Sequence, residues 1–215
     1  MDSRFNKTLL LTVSLSCLLL SCNATRVLTI PPIGAPAQSK ATASALVGSL
    51  FSVASATNKI NPVITGFCSG TESPALCAKT LAPLLLQGAF DPLKALETEI
   101  EATMKQAQTV TGIILKKLAD HNTPKAALDA LHICKDQYSD ILDTIKEALE
   151  LIPQHNVVDA YYKFSSVISN KCTCDDAFTE SPGVENPLVN ESLTLFQLGG
   201  NCLAIMDALV NHSRL

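Results

Sequence analysis

The chain has 215 residues, 47% of them apolar and 17% charged, with a formal net charge of −4. That balance suits one packed domain with processed or loosely folded ends and excludes wholesale disorder. The weak negative charge, with no run of Lys and Arg to track a phosphate backbone, excludes nucleic acid as a partner.

Residues 1–24 read as a secretory signal. Arg4 and Lys7 form a basic start, Thr8 to Leu20 is an apolar run of 13 residues, and Cys22 and Ala24 are small residues at −3 and −1 of a cleavage point. The run is too short to span a bilayer, so no membrane anchor is expected after cleavage. Cleavage takes the formal charge from −4 to −5 and leaves six of the eight cysteines: Cys68, Cys77, Cys134, Cys172, Cys174 and Cys202. An even number in an oxidising compartment suggests disulfides. Residues 25–59 are a lead-in rich in Pro, Ala and Ser. Its first part, with Pro31, Pro32 and Pro36, suits an extended chain, and the apolar segment Ala41 to Ala56 is again too short to span a membrane.

The folded domain is expected over 60–212. With no Trp and 5% aromatics, its composition favours helix packing over a β-sandwich. Ile60 to Gln87 reads as two short helices joined by Ser69-Gly70-Thr71. Four longer helices follow, each with apolar residues at steps of three and four. The first runs from about Pro92 to Ala119, capped by Asp91, with Leu93, Leu96, Ile100, Met104, Ala107, Ile114, Leu115 and Leu118 on one face. The second runs from about Pro124 to Leu151, with Thr123 as its expected cap and the stripe Leu128, Leu131, Cys134, Tyr138, Ile141, Leu142, Ile145 and Leu149. The third spans about Val157 to Phe178, with the stripe Val158, Tyr161, Ser165, Ile168 and Cys172. The fourth spans about Pro187 to His212, with Leu195, Leu198, Cys202, Ile205 and Leu209. These lengths and short connections predict an all-α fold, an up-and-down four-helix bundle.

Catalysis needs reactive side chains that converge. His121, His132, His155 and His212 are scattered, and no metalloprotease, hydrolase-elbow or phosphate-loop motif is present. Glu97, Glu99 and Glu101 alternate too closely to share one helical face and read as solvated surface. No enzyme activity, cofactor or metal is expected. The sequons Asn190-Glu191-Ser192 and Asn211-His212-Ser213 are candidate N-glycosylation sites.

The segment Cys68-Ser-Gly-Thr71-Glu-Ser-Pro74-Ala-Leu-Cys77 resembles the opening signature of the plant invertase and pectin methylesterase inhibitor family, there C-x2-T-x2-P-x2-C. Two further blocks are similar to that family: Ala127-Leu128 with Cys134, Tyr138 and Asp140, and Ser165 to Ser169 with Thr173-Cys174-Asp175-Asp-Ala-Phe178. Gly183-Val184 through Asn186-Pro187-Leu188 to Phe196-Gln197-Leu198 looks most like its invertase-inhibitor branch. The resemblance implies a four-helix bundle with an N-terminal α-hairpin, and disulfides Cys68–Cys77 and Cys134–Cys174. It also implies a secreted apoplastic or vacuolar inhibitor, a monomer when free. Such an inhibitor binds pectin methylesterase or acid invertase one to one and covers the enzyme's cleft.

Cys172 has no usual counterpart in the family. A third bond, Cys172–Cys202, and two buried free thiols stand as equal alternatives. The family's invertase inhibitors carry Pro-Lys-Phe before the third bundle helix; the matching positions here are Val157, Val158 and Asp159, so that contact does not carry over. The face expected to inhibit is the turn and outer surface around Gln154, His155, Asn156, Asp159, Tyr162, Lys163 and Ser166, with His155 as a source of pH sensitivity. A lipid carrier and a secreted signalling protein without inhibitory activity are the rival readings.

Overall fold

The computed structural model describes residues 61–86 and 89–212; the expected signal segment and lead-in lie outside the described residues. Among the described residues the regular structure is entirely helical.

Two short helices come first. Helix α1, Pro62–Cys68, is started by Asn61, whose Oδ1 accepts from the Val63 N–H, with Pro62 in the first turn where its missing N–H costs nothing. Helix α2, Pro74–Leu81, also opens on a proline and runs into a 3₁₀ turn, Ala82–Leu86. Helices of seven and eight residues are too short to hold themselves together in water. Here the Cys68–Cys77 disulfide closes the hairpin, with a sequence separation of 9. Loop-closure entropy makes that bond worth about 2.5–3 kcal/mol.

Four long helices form the body: α3, Pro92–Ala119; α4, Lys125–Leu151; α5, Val157–Thr179; and α6, Val189–His212. Each packs on its chain neighbour, and α3 packs on α6, so the four close a ring around one core. The core holds Leu96, Ile100 and Ile114 from α3, Leu131, Tyr138, Ile141 and Ile145 from α4, Phe164 and Val167 from α5, and Leu195, Cys202 and Met206 from α6. Helix α6 is apolar and long enough to cross a membrane by length and composition, and its Leu195, Leu198, Cys202, Ile205 and Met206 are buried in this core. Helix α2 rests on α3 and α6, which docks the hairpin against the side of the bundle. The Cys134–Cys174 disulfide ties α4 to α5 across a sequence separation of 40, worth about 4 kcal/mol by the same entropy argument.

Several expectations from the sequence need correction. Pro124, not Thr123, occupies the cap position of α4, because the Thr123 hydroxyl instead donates to the Lys117 carbonyl at 2.7 Å and closes the end of α3. Leu115 is 49% exposed, and Val110 takes the inward place on α3.

The largest difference is on α5. Its inward stripe is Val157, Ala160, Phe164, Val167, Cys174, Ala177 and Phe178, one residue away from the stripe read from the sequence. One residue is a rotation of about 100°, which turns Val158 and Ser165 outward and leaves Cys172 at the margin of the core. Burying Phe164 and Phe178 gains more than burying Ser165 and Cys172, so the two phenylalanines set the rotation.

Of the two alternatives for Cys172 and Cys202, a bond between them is not formed. Cys202 is a free, buried thiol whose sulfur lies 3.4 Å from the Thr103 hydroxyl, so it faces α3 across the core. A stripe position says that a side chain points inward; it does not say towards which neighbouring helix.

Candidate protein-binding face

The turn from α4 to α5 ends one helix and starts the next with its own local chemistry. The His155 N–H donates to the Ile152 carbonyl and the Asn156 N–H donates to the Leu151 carbonyl, the paired bonds of a Schellman closure. The residue at the left-handed position of that closure is normally glycine. Here it is His155, at φ 56°, where a side chain costs about 1–2 kcal/mol. Asn156 then caps α5: its Oδ1 accepts from the Asp159 N–H, and its Nδ2 donates to Asp159 Oδ2 at 2.7 Å. The turn is fixed by hydrogen bonds at both ends rather than being a loose loop.

Beyond the turn, Asp159, Tyr162, Lys163 and Ser166 recur at steps of three and four on the outer side of α5. Lys163 Nζ pairs with Glu147 Oε2 at 2.6 Å, a surface bridge to α4. That pairing raises the Lys163 pKa, mainly through the hydrogen bond to Glu147. Ser166 shares a 3.3 Å contact with the Thr144 hydroxyl. The Gln154 amide donates to the Glu150 carbonyl at 2.7 Å. Tyr162 stands out from this face, 71% exposed, beside Val158 at 41%. Of the seven residues named from the sequence, Gln154, His155, Asp159, Tyr162 and Lys163 are exposed and Asn156 and Ser166 half-buried, along the turn and the solvent side of α5. The Cys134–Cys174 bond fastens together the two helices that carry it.

Val157, at the first of the three positions where an invertase-type inhibitor would carry Pro-Lys-Phe, is buried at the start of α5. His121 and His132 do not join the face; they are exposed at other places on the bundle. No group of three or more metal-ligating side chains forms among the described residues.

Glu99 differs from the expectation of a solvated residue: it is fully buried in α3. Glu97 and Glu101 sit two residues either side of it, about 200° around the helix, which is why they remain near solvent while Glu99 faces the core. Burial raises its pKa from 4.5 to about 8, with the Asn201 amide of α6 opposing that rise. Neither carboxyl oxygen of Glu99 closes a well-formed hydrogen bond, and nor does Asn201 Nδ2. Asn201 Oδ1 is engaged elsewhere: it accepts from the Ser73 N–H at 2.7 Å, which pins the hairpin to α6. Thr103 and Cys202 complete this polar pocket in the core, and burial pushes the Cys202 thiol pKa up.

A second inward polar group joins α4, α5 and α6. The Ser192 hydroxyl donates to Asp175 Oδ1 at 3.0 Å, and Lys171 Nζ pairs with Asp175 Oδ2 at 2.6 Å. Lys171 also lies 5.2 Å from the centre of the Phe196 ring. Tyr138 is buried nearby, and burial raises its phenol pKa. The Ser192–Asp175 and Lys171–Asp175 contacts join α5 to α6 and brace α5 within its own turn, while the buried Tyr138 hydroxyl closes no hydrogen bond.

A disulfide-closed α-hairpin docked on a disulfide-tied four-helix bundle makes the described residues an all-helical, disulfide-stapled domain. Residues 62–205 match the family described as plant invertase/pectin methylesterase inhibitor, and the chain belongs to that family. A "Putative invertase inhibitor" of Platanus orientalis is 30% identical over 102 residues, 47% of this chain and 58% of that protein. The chain thus spans little more than half the length of that relative. The protein named "Pectinesterase inhibitor 1" of Arabidopsis thaliana is 26% identical over 165 residues, covering 76% of this chain and 88% of its own. In fold, the chain is similar to a crystallised mutant form of a pectin methylesterase inhibitor from Arabidopsis. The TM-score is 0.58 at 22% identity, over 67% of this chain and 95% of that one.

Proposed function

We propose that the mature domain is a secreted inhibitor that binds a pectin methylesterase in the plant cell wall, one to one, and covers its substrate cleft. The observation that carries this reading is the face built on the α4–α5 turn and the outer side of α5. It is exposed, locked by its own caps, backed by the Cys134–Cys174 bond, and holds His155 in a conformation that costs stability. Strained residues persist where the surrounding structure over-determines them, and they cluster at binding and catalytic sites. A pre-ordered face binds with less ordering cost, and an exposed aromatic such as Tyr162 is the usual anchor of such an interface.

Pectin methylesterase is favoured over acid invertase on a specific observation. The contact typical of the invertase inhibitors falls here on Val157-Val158-Asp159, and the first of these is sequestered in the core. The relative matched over 88% of its length is also named for pectinesterase. The same reading makes the domain a non-enzyme, needing no cofactor, and a monomer until it meets its target.

The reading is tested by paired variants. Tyr162→Ala and Lys163→Glu change exposed side chains without touching the core, so both should fold normally. Each is expected to weaken inhibition of pectin methylesterase at least tenfold, whereas Lys116→Glu, on α3, leaves it unchanged. Equal inhibition by all three variants rejects this face as the contact.

A further inference from the structure

The outer surface of α5 continues into a groove against the end of α6, lined by Val158, Tyr161, Tyr162, Asp207, Val210 and Asn211. Its volume is about 170 Å³, below the roughly 300–1,000 Å³ of a site that takes a drug-sized ligand. It is large enough for one ring. The walls carry two tyrosines set edge to face, 5.8 Å apart, and two aliphatic side chains. Beside the two phenol hydroxyls, the polar groups are Asp207 and Asn211 of α6. That pattern, aromatic faces beside a carboxylate and an amide, suits a pyranose ring with an apolar face and hydroxyls at its edge.

The rim residue Asn211 is itself the acceptor of the sequon Asn211-His212-Ser213. We propose that Asn211 carries an N-linked glycan whose first N-acetylglucosamine folds back into this groove and stacks on Tyr162. In the modification, Asn211 Nδ2 attacks C1 of a lipid-diphosphate-linked oligosaccharide. The new bond is N–C1, the C1–O bond breaks, the lipid diphosphate leaves with the electron pair, and one amide proton is lost to base. The linked nitrogen keeps its other proton. Nδ2 at present donates to Asp207 Oδ2 at 3.1 Å, and a glycosylated Nδ2 can still do so. With that bond kept, the first sugar leaves Asn211 from a fixed direction at the lip of the groove. Tethering makes the contact intramolecular, so a weak stack is populated without any free ligand.

The second sequon gives an internal comparison. Asn190 is exposed at the first turn of α6 and does not line this groove, so a glycan there is not placed to reach Tyr162 from its lip.

Tyr162 also belongs to the face assigned to the hydrolase, so a sugar seated on it narrows that face and tunes inhibition. That consequence rests on the inhibitor reading; occupancy and stacking do not.

The experiment is secretion of the full chain from plant cells held at high-mannose glycans, with Asn190→Gln to leave one site. Glycopeptide mass analysis reads occupancy of Asn211. Endoglycosidase then trims the glycan to one N-acetylglucosamine, and this form is compared with Ser213→Ala, which carries none. The single sugar is expected to raise Tm by about 2–4 °C and to give a nuclear Overhauser contact between its ring or acetyl protons and the Tyr162 ring. Tyr162→Ala should keep the glycan and abolish the Tm difference. An unmodified Asn211, or equal Tm with no contact to Tyr162, overturns the proposal. If the stacking is found and no form inhibits a hydrolase, the glycan site stands and the inhibitor reading fails.

Discussion

Replacing Glu99 by Gln tests the reading of the buried polar pocket most sharply. Unfolded, this carboxyl titrates near 4.5; folded, its pKa is about 8. Below pH 4.5 both states hold the proton and Glu99 costs nothing. Between pH 4.5 and 8 unfolding releases a proton, so stability falls as pH rises, by about 1.4 kcal/mol per pH unit. Above pH 8 the loss is complete, at about 5 kcal/mol in total. That is a large share of the roughly 5–15 kcal/mol that holds a domain together. Glutamine matches the protonated acid in shape, and its oxygen can face Asn201 Nδ2 as the carboxyl does. The variant should therefore match the wild type at pH 4.5 and exceed it by about 3–4 kcal/mol near pH 7. Urea unfolding with disulfides intact, repeated from pH 4.5 to 8, measures both curves. A difference between the two proteins that does not change with pH would refute the assignment of a neutral, buried Glu99. The link to function is the hairpin: Asn201 bonds Ser73 as well as facing Glu99, so ionisation of the carboxyl disturbs the contact that docks the hairpin.

Three further outcomes follow from particular contacts. His155→Gly removes a side chain from a left-handed position and should raise stability by about 1 kcal/mol; if the turn is part of the binding face, affinity for the hydrolase falls even as Tm rises. Gly200→Ala places a methyl group 2.7 Å from Glu72 Cβ in the hairpin loop. The helix gains about 1 kcal/mol in propensity but the loop must move away, so limited proteolysis near Ser69 to Ser73 should speed up while the bundle core stays protected. The Cys202 thiol, buried and held well above its ordinary pKa, should ignore a thiol reagent in the native protein and react after denaturation; rapid native labelling would place it elsewhere.

Much of the architecture can be read from the chain, because helix ends carry local signals. Asp91 followed by Pro92 marks the start of α3, and the break at Pro153 marks the end of α4 within two residues. The long stripe of α4 is unambiguous, since eight apolar positions agree on one face. Helix α5 is different. It carries apolar residues on both Val157, Ala160, Phe164, Val167 and Val158, Tyr161, Ile168, so two faces one residue apart compete and periodicity alone does not rank them. Side-chain size would have: Phe164 and Phe178 lie on the first set. The Cys172–Cys202 alternative rested on the second set. Glu99 was not legible because its burial depends on a groove between α3 and α6, a long-range contact that no local pattern encodes. Its spacing from Glu97 and Glu101 did hold the hint, since three residues that cannot share a face cannot all be solvated on an inward-facing helix. The candidate binding face was legible as a set of positions, whereas the left-handed His155 was not, since nothing in its neighbours calls for a positive φ.

The most direct test of the whole account is a stoichiometric titration of the mature, oxidised domain into pectin methylesterase at acidic pH, with acid invertase titrated in parallel. The account predicts a linear loss of pectin methylesterase activity that ends at one inhibitor per enzyme, with invertase unaffected. Full activity of both enzymes at an excess of the domain would contradict it.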